Sequence, residues 1–250
     1  MLAIQNENPR DKNITFEETG HKYTLRGYDK NLISVTTLIK KYHPDFNADK
    51  IISNMMKSQK WSTSKYYGKT PDEIKLEWST ARDEASVAGT HLHKTIELYL
   101  NKEEFKNNST EFKMFLDFWN DFNIKYPNYT LYRTEWIIYD EDIKVAGSID
   151  CVLENEKGEL IILDWKRTKE LKTYNRYETC FAPFNYLSDC NYSHYILQLN
   201  MYKHILTTRY QKKVIDMMLV VLHPDNNTFI CTAVDFIDLT KYWHKLDTTI

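Results

Sequence analysis

Residues 145–169 read VAGSIDCVLENEKGELIILDWKRTK, two apolar runs rich in valine, isoleucine and leucine with a short polar stretch between them. Such runs predict two buried strands, and Glu156, Lys157 and Gly158 fit a three-residue hairpin loop that closes on a glycine in the left-handed region. Asn155 then pairs with Glu159, which sets Glu154 against Leu160, Val152 against Ile162 and Asp150 against Asp164. Strand side chains alternate, so Lys166 shares a face with Asp164 while Trp165 points away. Ile149, Cys151, Leu153, Ile161, Leu163 and Trp165 fill the opposite face, and Val152 and Ile162 flank the aspartates, so both faces are expected to be covered.

Upstream, residues 14–26 (ITFEETGHKYTLR) alternate as a hairpin turning near Thr19-Gly20, and residues 32–38 read as a strand or the start of a helix. Ser34 and Thr36 there have two readings, helix capping or contact with phosphate. Residues 47–67 read as helix and loop. Thr70-Pro71-Asp72-Glu73 is a capping box, from which a helix runs towards Val87. After Ala88-Gly89 a second helical segment, residues 90–100, sets His93 and Glu97 four apart on one face. Phe112, Phe115, Leu116, Trp119 and Phe122 recur at core-helix spacing from Ser109/Thr110 and stop before Pro127. Residues 129–139, ending at the turn 140–142, make the strand before the hairpin and carry Glu135. From Ser193 a helix sets His194, Gln198 and Tyr202 at four-residue steps, residues 214–222 and 228–234 form a last hairpin at a sheet edge, and a short helix or tail follows Asp238. This succession fits an α/β layer architecture, a mixed sheet flanked by helices.

A chain of 250 residues can bury one sizeable core, and no linker or repeat divides it, so one domain is expected. The formal net charge of −2 carries no overall basic signature. No apolar run reaches the length of a membrane span, and the start MLAIQNENPRDKN lacks a signal-peptide core, which leads us to expect an intracellular protein with no membrane partner. Cysteines 151, 180, 190 and 231 show no CxxC spacing, against a zinc site or a disulfide scaffold. The chain has no GxxxxGK[ST] loop, so no ATP is expected as cofactor.

Directly opposed like charges on one sheet face lie about 5 Å apart and repel. Asp150 and Asp164 therefore need a cation, and a hard-oxygen pair with few protein ligands suits Mg²⁺ or Mn²⁺ completed by water and substrate phosphate. The plainer reading is a strand end plus a surface Asp164–Lys166 ion pair, but the covered faces argue against it. Beyond Lys166, Arg167, Lys169, Lys172 and Arg176 interleave with Tyr174, Tyr177, Phe181, Phe184 and Tyr186. That mixture suits a single nucleic-acid strand, with phosphates neutralised and bases stacked, and equally a solvated strand end before a packed loop.

Four segments, GTHLHKTIE, AGSIDCV, ILDWKRTK and LQLNMY, resemble in this order the G-T-x-x-H helix, the G-x-(I/V)-D strand, the D-x-K strand and the Q-x-x-x-Y helix of the PD-(D/E)XK nucleases. The nearest likeness is to the branch holding the RecB nuclease domain and the mitochondrial genome maintenance exonuclease, over roughly residues 34–224. The resemblance implies a restriction-endonuclease-like core at about residues 88–235, with hairpin 14–26 and helical part 34–127 as embellishment. It implies a metal-dependent DNA exonuclease of replication, recombination or end processing. A structure-specific endonuclease on DNA or RNA, and a catalytically silent nucleic-acid-binding module, stand as alternatives. Implied metal ligands are His93, Asp150, Asp164 and the Trp165 carbonyl, and the implied catalytic set is Lys166, Asp150, Asp164 and Glu97. Gln198, Tyr202, Arg167 and Lys169 are the expected substrate-binding residues. Relatives often carry a glutamate where Glu135 stands, although an isolated strand glutamate is more commonly a surface residue. Expected partners are DNA with a free end and replication or recombination proteins. Without the early cysteine and late cysteine group of some relatives, no iron–sulfur cluster is expected.

Overall fold

In the computed structural model residues 2–249 are described. They form α1 (Leu2–Gln5), the hairpin β1 (Ile14–Glu17) and β2 (Lys22–Leu25), and β3 (Asn31–Ser34), which runs directly into α2 (Val35–Lys40). There follow α3 (Ala48–Met56), α4 (Pro71–Leu100), α5 (Thr110–Lys125), the meander β4 (Tyr129–Asp140), β5 (Val145–Asn155) and β6 (Glu159–Lys166), then α6 (Asn191–Arg209), β7 (Lys213–Val221) and β8 (Ile230–Ala233). The architecture is α/β. Eight strands make a mixed sheet in the order β1-β2-β3-β5-β6-β7-β8, with β4 branching off β5.

Strand alternation sorts the core into two layers. Val152 and Ile162 pack with Leu197, Met201 and Ile205 of α6 and with Leu38 and Ile39 of α2. Cys151, Leu153, Leu163 and Trp165 pack on the other face with Phe112, Phe115, Phe118 and Phe122 of α5 and with Leu92 and Ile96 of α4. Both faces of β5 and β6 are thereby covered, which is why these strands read as near-continuous apolar runs. Ile149 departs from the expected pattern and lies in the α6 layer beside Trp136. The β4–β5 ladder is irregular near it, with a register shift between Leu131 and Arg133 and a left-handed backbone at Glu135, and such irregularities re-aim side chains.

The hairpin register is as read up to Cys151–Leu163, and Gly158 closes the loop with φ +73°. Strand β5 has two unlike edges. Along one, β4 pairs from Tyr129–Asn155 to Asp140–Val145. Along the other, β6 pairs from Glu154 only as far as Cys151, and β3 pairs in parallel at Val145 and Ala146. Residues 147–150 therefore lie in a fork between β3 and β6.

The outer edge of β4 is met by residues near the N-terminus rather than by another strand. Asn6 Nδ2 donates to the Tyr132 carbonyl at 2.7 Å, and Arg10 donates to the Tyr139 carbonyl at 3.2 Å. Arg133 donates to the Asn6 carbonyl at 3.0 Å and to Asp11 at 2.7 Å.

Of the two readings of Ser34 the capping one is seen, because its hydroxyl accepts from the Thr37 amide at 3.0 Å. Ser109 likewise accepts from the Phe112 amide and starts α5. The chain divides into two compact units, residues 45–91 and the remainder. Within residues 45–91, Asn47 caps α3, Lys75 pairs with Asp49 and Asp72 at 3.0 Å each, and Trp78 donates to the Tyr66 hydroxyl at 2.8 Å. Thr70 and Glu73 make the expected capping box at the start of α4. The expected break after Gly89 is absent, and α4 continues unbroken for 30 residues. One glycine costs roughly 1 kcal/mol against alanine, which does not stop a helix already nucleated. No helix of the described residues is long and apolar enough to cross a membrane.

Nothing lies within 4 Å of where a Cβ on Gly89 would sit. Gly89→Ala is therefore expected to raise folding stability by about 0.5–1 kcal/mol in urea unfolding. A loss of stability would show that the backbone there needs glycine.

Candidate metal centre

Asp150 stands in the fork, and its surroundings follow from the ladder ending there. In register it comes next after Cys151, opposite Asp164, but the β5–β6 pairing stops one step short. The Trp165 amide donates instead to Asp150 Oδ2 at 2.8 Å. Strand separation at the point where two carboxylates would face each other is what like-charge repulsion favours. Across the other edge, Thr134–Cys151 and Trp136–Ile149 are paired, so Glu135 stands opposite Asp150. Its backbone is left-handed at φ +43°, a conformation that costs a non-glycine residue about 1–3 kcal/mol and clusters at functional sites. The Ser148 hydroxyl donates to Glu135 Oε2 at 2.8 Å. His93, near the end of α4, brings Nδ1 to 3.5 Å from Asp150 Oδ2. The ligand atoms of His93, Glu135 and Asp150 all lie within 4.8 Å of one another.

Asp164 and Lys166 form the second half of the centre. Asp164 is 1% exposed, and the Lys166 ammonium lies 2.7 Å from its Oδ2. The ammonium serves Oδ2, while the other buried oxygen, Oδ1, has no hydrogen-bond donor among the described residues. Lys166 also donates to Gln198 Oε1 at 3.2 Å and sits 4.8 Å over the Tyr195 ring. Gln198 Nε2 in turn donates to the Tyr202 hydroxyl at 3.0 Å. The Tyr202 ring lies against Gly147, where a Cβ would come within 2.6 Å of Cε1. Two of the segments singled out in the sequence, AGSID and LQLNMY, are thus joined by a contact that only glycine allows.

Burial and charge pull against each other throughout. Burial disfavours the His93 imidazolium, but the charge of Asp150 outweighs it and raises His93 to about 9. Burial, then the charge of Asp150, raises Glu135 to about 7. Asp164 is raised by burial to about 6 despite Lys166. Asp150 is held below its ordinary value because His93 and Lys166 overcome the burial that opposes them. Lys166 keeps its proton above the usual lysine value, burial being outweighed by Asp164 and Asp150. At neutral pH it is therefore a fixed cation and not a base.

The donor set fits a divalent cation. One buried carboxylate oxygen, Asp164 Oδ1, lacks a donor, and three further groups converge, oxygen-rich with one imidazole. Such an ion would displace the proton held on His93.

Other expected residues lie elsewhere. Glu97 pairs with Lys94 at 2.8 Å along α4 and is not among the converging groups. Arg167 is tied to Glu111 at 2.8 Å, both largely buried, whereas Lys169 pairs with Asp225 at the surface. Trp165 is fixed by its amide and by its ring, 5.4 Å from Phe115 and 5.8 Å from Phe118. Gln198 and Tyr202 are both buried, so they meet the centre through Lys166 rather than bordering open space. Of the aromatic segment, Phe184 is core, while Tyr174, Tyr177, Phe181 and Tyr186 are exposed. Glu135, which the sequence offered only through the likeness to relatives, is brought opposite Asp150 by the β4–β5 register.

No family model matches the chain, and no curated protein matches it. Among solved structures, the crystal structure of SSO0001 is similar over 88% of this chain and 74% of that one, with 13% identity and a TM-score of 0.35. The crystal structure of a protein from Eubacterium rectale, provisionally named an exonuclease, is similar over 60% of this chain and 68% of that one, with 13% identity and a TM-score of 0.28. Likenesses this remote leave function to be argued from the site.

The raised groups bind protons more tightly folded than unfolded. Their contribution to stability is complete below their unfolded values, about 4 for the carboxyls and 6.5 for the imidazole, and is lost as pH rises through about 6, 7 and 9. Asp150 has the opposite sign and loses its contribution only in acid. In chelator the urea midpoint should therefore fall from about pH 5 to about pH 9, and saturating Mn²⁺ should flatten the fall. A flat profile in chelator would mean that these groups remain solvated.

Gly147→Ala should cost about 1–3 kcal/mol through overpacking against Tyr202. In a Tyr202→Leu background the same change should cost clearly less, as a double-mutant cycle by chemical denaturation would read. Equal costs in both backgrounds would remove the contact as the cause.

Proposed function

We propose that the protein is a metal-dependent nuclease that hydrolyses phosphodiester bonds in DNA from a free end. The observation that carries this reading is a buried ammonium 2.7 Å from one oxygen of a buried carboxylate whose other oxygen has no hydrogen-bond donor, beside converging histidine and acidic ligands. Apolar residues of the same volume would fold as well or better, so stability alone does not explain the set. Nor does simple binding, since acidic groups repel a phosphate backbone, which counts against a catalytically silent module.

In this reading His93, Glu135 and Asp150 hold Mg²⁺ or Mn²⁺, with Asp164 and the Trp165 carbonyl as further oxygen donors. A bound cation of this kind lowers the pKa of a coordinated water and draws charge from the phosphate. Lys166, kept charged by Asp164 and Asp150, orients the attacking water and stabilises the negative charge that grows on the phosphoryl oxygens. Gln198 holds Lys166 in place and Tyr202 holds Gln198, so both are positioning residues. The preference for DNA and for ends, and a role in replication, recombination or end processing, rest on the likeness of the four segments to PD-(D/E)XK motifs.

The test uses end-labelled linear and covalently closed circular substrates, single- and double-stranded, of DNA and RNA. Cleavage of linear DNA is expected with added Mg²⁺ or Mn²⁺ and none in chelator. Equal cleavage of circles would make the enzyme an endonuclease, and full activity in chelator would remove the metal from the mechanism. Lys166→Ala should lose about 10²–10³ in turnover while still binding Mn²⁺. Near wild-type turnover in that variant would place the chemistry elsewhere.

A further inference from the structure

Residues 167–190 connect β6 to α6, and this connection is fastened at several points while holding aromatic rings out to solvent. The Lys172 amide donates to Asn191 Oδ1 at 2.8 Å, and the Lys172 carbonyl accepts from the Tyr192 amide at 3.3 Å. Asn175 Nδ2 donates to the Asp189 carbonyl at 2.8 Å, and Asn175 Oδ1 accepts from the Tyr177 amide at 2.9 Å. Further on, Thr179 bridges to Ser188, the Phe181 amide donates to the Tyr42 carbonyl at 2.7 Å, and Asp189 Oδ1 lies 2.7 Å from His43 Nδ1. The backbone is thus tied on both sides of Tyr174 and Tyr177, yet their rings are 73% and 82% exposed. Phe184 shows the contrast, fully buried in the same segment with its ring 5.2 Å from that of Tyr42.

Two further observations say what such rings could meet. Tyr174, Tyr177, Phe181 and Tyr186 are four of the seven exposed aromatic side chains among the described residues, with Phe46, Tyr67 and Phe236 the other three, so the exposure is concentrated rather than scattered. Cations accompany the rings. Arg167 and Lys169 are taken up by Glu111 and Asp225, but Lys172 and Arg176 are exposed and make no ion pair among the described residues. Arg176 instead lies 5.3 Å over the Tyr177 ring. Charge complementarity therefore favours an anionic occupant with flat apolar groups, which describes a nucleic-acid strand whose bases are unpaired.

We propose that residues 172–177 form a binding platform outside the metal centre, on which Tyr174 and Tyr177 stack unpaired bases of a DNA strand while Lys172 and Arg176 neutralise its phosphates. The choice of DNA as occupant rests on the nuclease reading, which the platform deepens by giving the substrate an unpaired segment. Its position suits that role. Lys172 is bound to Tyr192, one turn of α6 before Tyr195, and the Tyr195 ring lies 4.8 Å from the Lys166 ammonium. The near end of the platform is thus fixed roughly 5 Å along the helix from the residue that covers Lys166. One strand can therefore occupy both places. In a duplex each base face is already covered by its neighbours, so exposed rings gain stacking only from unpaired bases, and they gain it from any base. The fastenings of the loop place the rings before binding, which spares the cost of ordering them.

The experiment reads fluorescence anisotropy of a labelled oligothymidylate of about 20 nucleotides and of a blunt hairpin duplex, titrated with the full chain in chelator so that nothing is cleaved. The wild type is expected to bind the single strand at least about tenfold more tightly than the duplex. Tyr174→Ala and Tyr177→Ala should each weaken that binding by at least about fivefold. Tyr177→Phe should retain it, whereas Tyr177→Leu, which keeps apolar area but not a ring, should bind as the alanine variant does. Lys172→Ala combined with Arg176→Ala should reduce the slope of log affinity against log salt by about 1.4, two phosphates at about 0.7 each. These side chains are exposed, so the urea midpoints of the variants should match the wild type and separate lost binding from lost folding. Equal affinity for single strand and duplex, or alanine variants that bind as the wild type does, would overturn the proposal. The nuclease reading fails separately: binding through these rings without cleavage in Mn²⁺ would keep the platform and remove the nuclease, and cleavage with unaltered binding by the ring variants would do the reverse.

Discussion

Asp164 is buried with one oxygen paired to the Lys166 ammonium and the other without a donor, and the surrounding structure is built on that imbalance. Covering both faces of β5 and β6 removes the water that would otherwise solvate the carboxylate. The same burial raises Asp164 and Glu135, and makes the charges of Lys166 and His93 necessary rather than incidental. Strand pairing gives way at the same place. With the ladder ended at Cys151–Leu163, the Trp165 amide is free to bind Asp150, and the fork between β3 and β6 leaves room for side chains from three elements.

Helix α6 supplies the support behind that fork. Tyr195, Gln198 and Tyr202 follow one another along it, the first two meeting the ammonium and the third holding Gln198. The last of them needs Gly147, so a β-strand and a helix more than fifty positions apart share one steric requirement. Buried hydrogen-bonded groups of this kind restrict where a long, flexible lysine side chain can go, which is the physical content of preorganisation.

How much of this was legible depends on the range of the interaction. The β5–β6 hairpin was readable because Gly158 and two apolar runs specify loop and register locally, and Lys166 falls on the face of Asp164 by alternation alone. Caps at Ser34 and Ser109 were readable for the same reason. Glu135 was raised only by the likeness to relatives, since its position opposite Asp150 depends on the β4–β5 register and on a left-handed residue that no local motif marks. The burial of Gln198 and Tyr202 depends on what packs over α6, so a four-residue spacing shows that they share a face but not what that face meets. Gly89 misled because a helix's continuity is decided by its whole length rather than by its weakest residue.

The arrangement of β4 has a further consequence. It is a 12-residue strand paired on one side only, and its other side meets Asn6 and Arg10 through side-chain bonds to its carbonyls. Those bonds stand where a neighbouring strand's amides would otherwise be. The segment around residues 6–11 therefore acts as a guard against edge-to-edge association: without it, a long row of unpaired backbone groups would be open to a strand from another molecule.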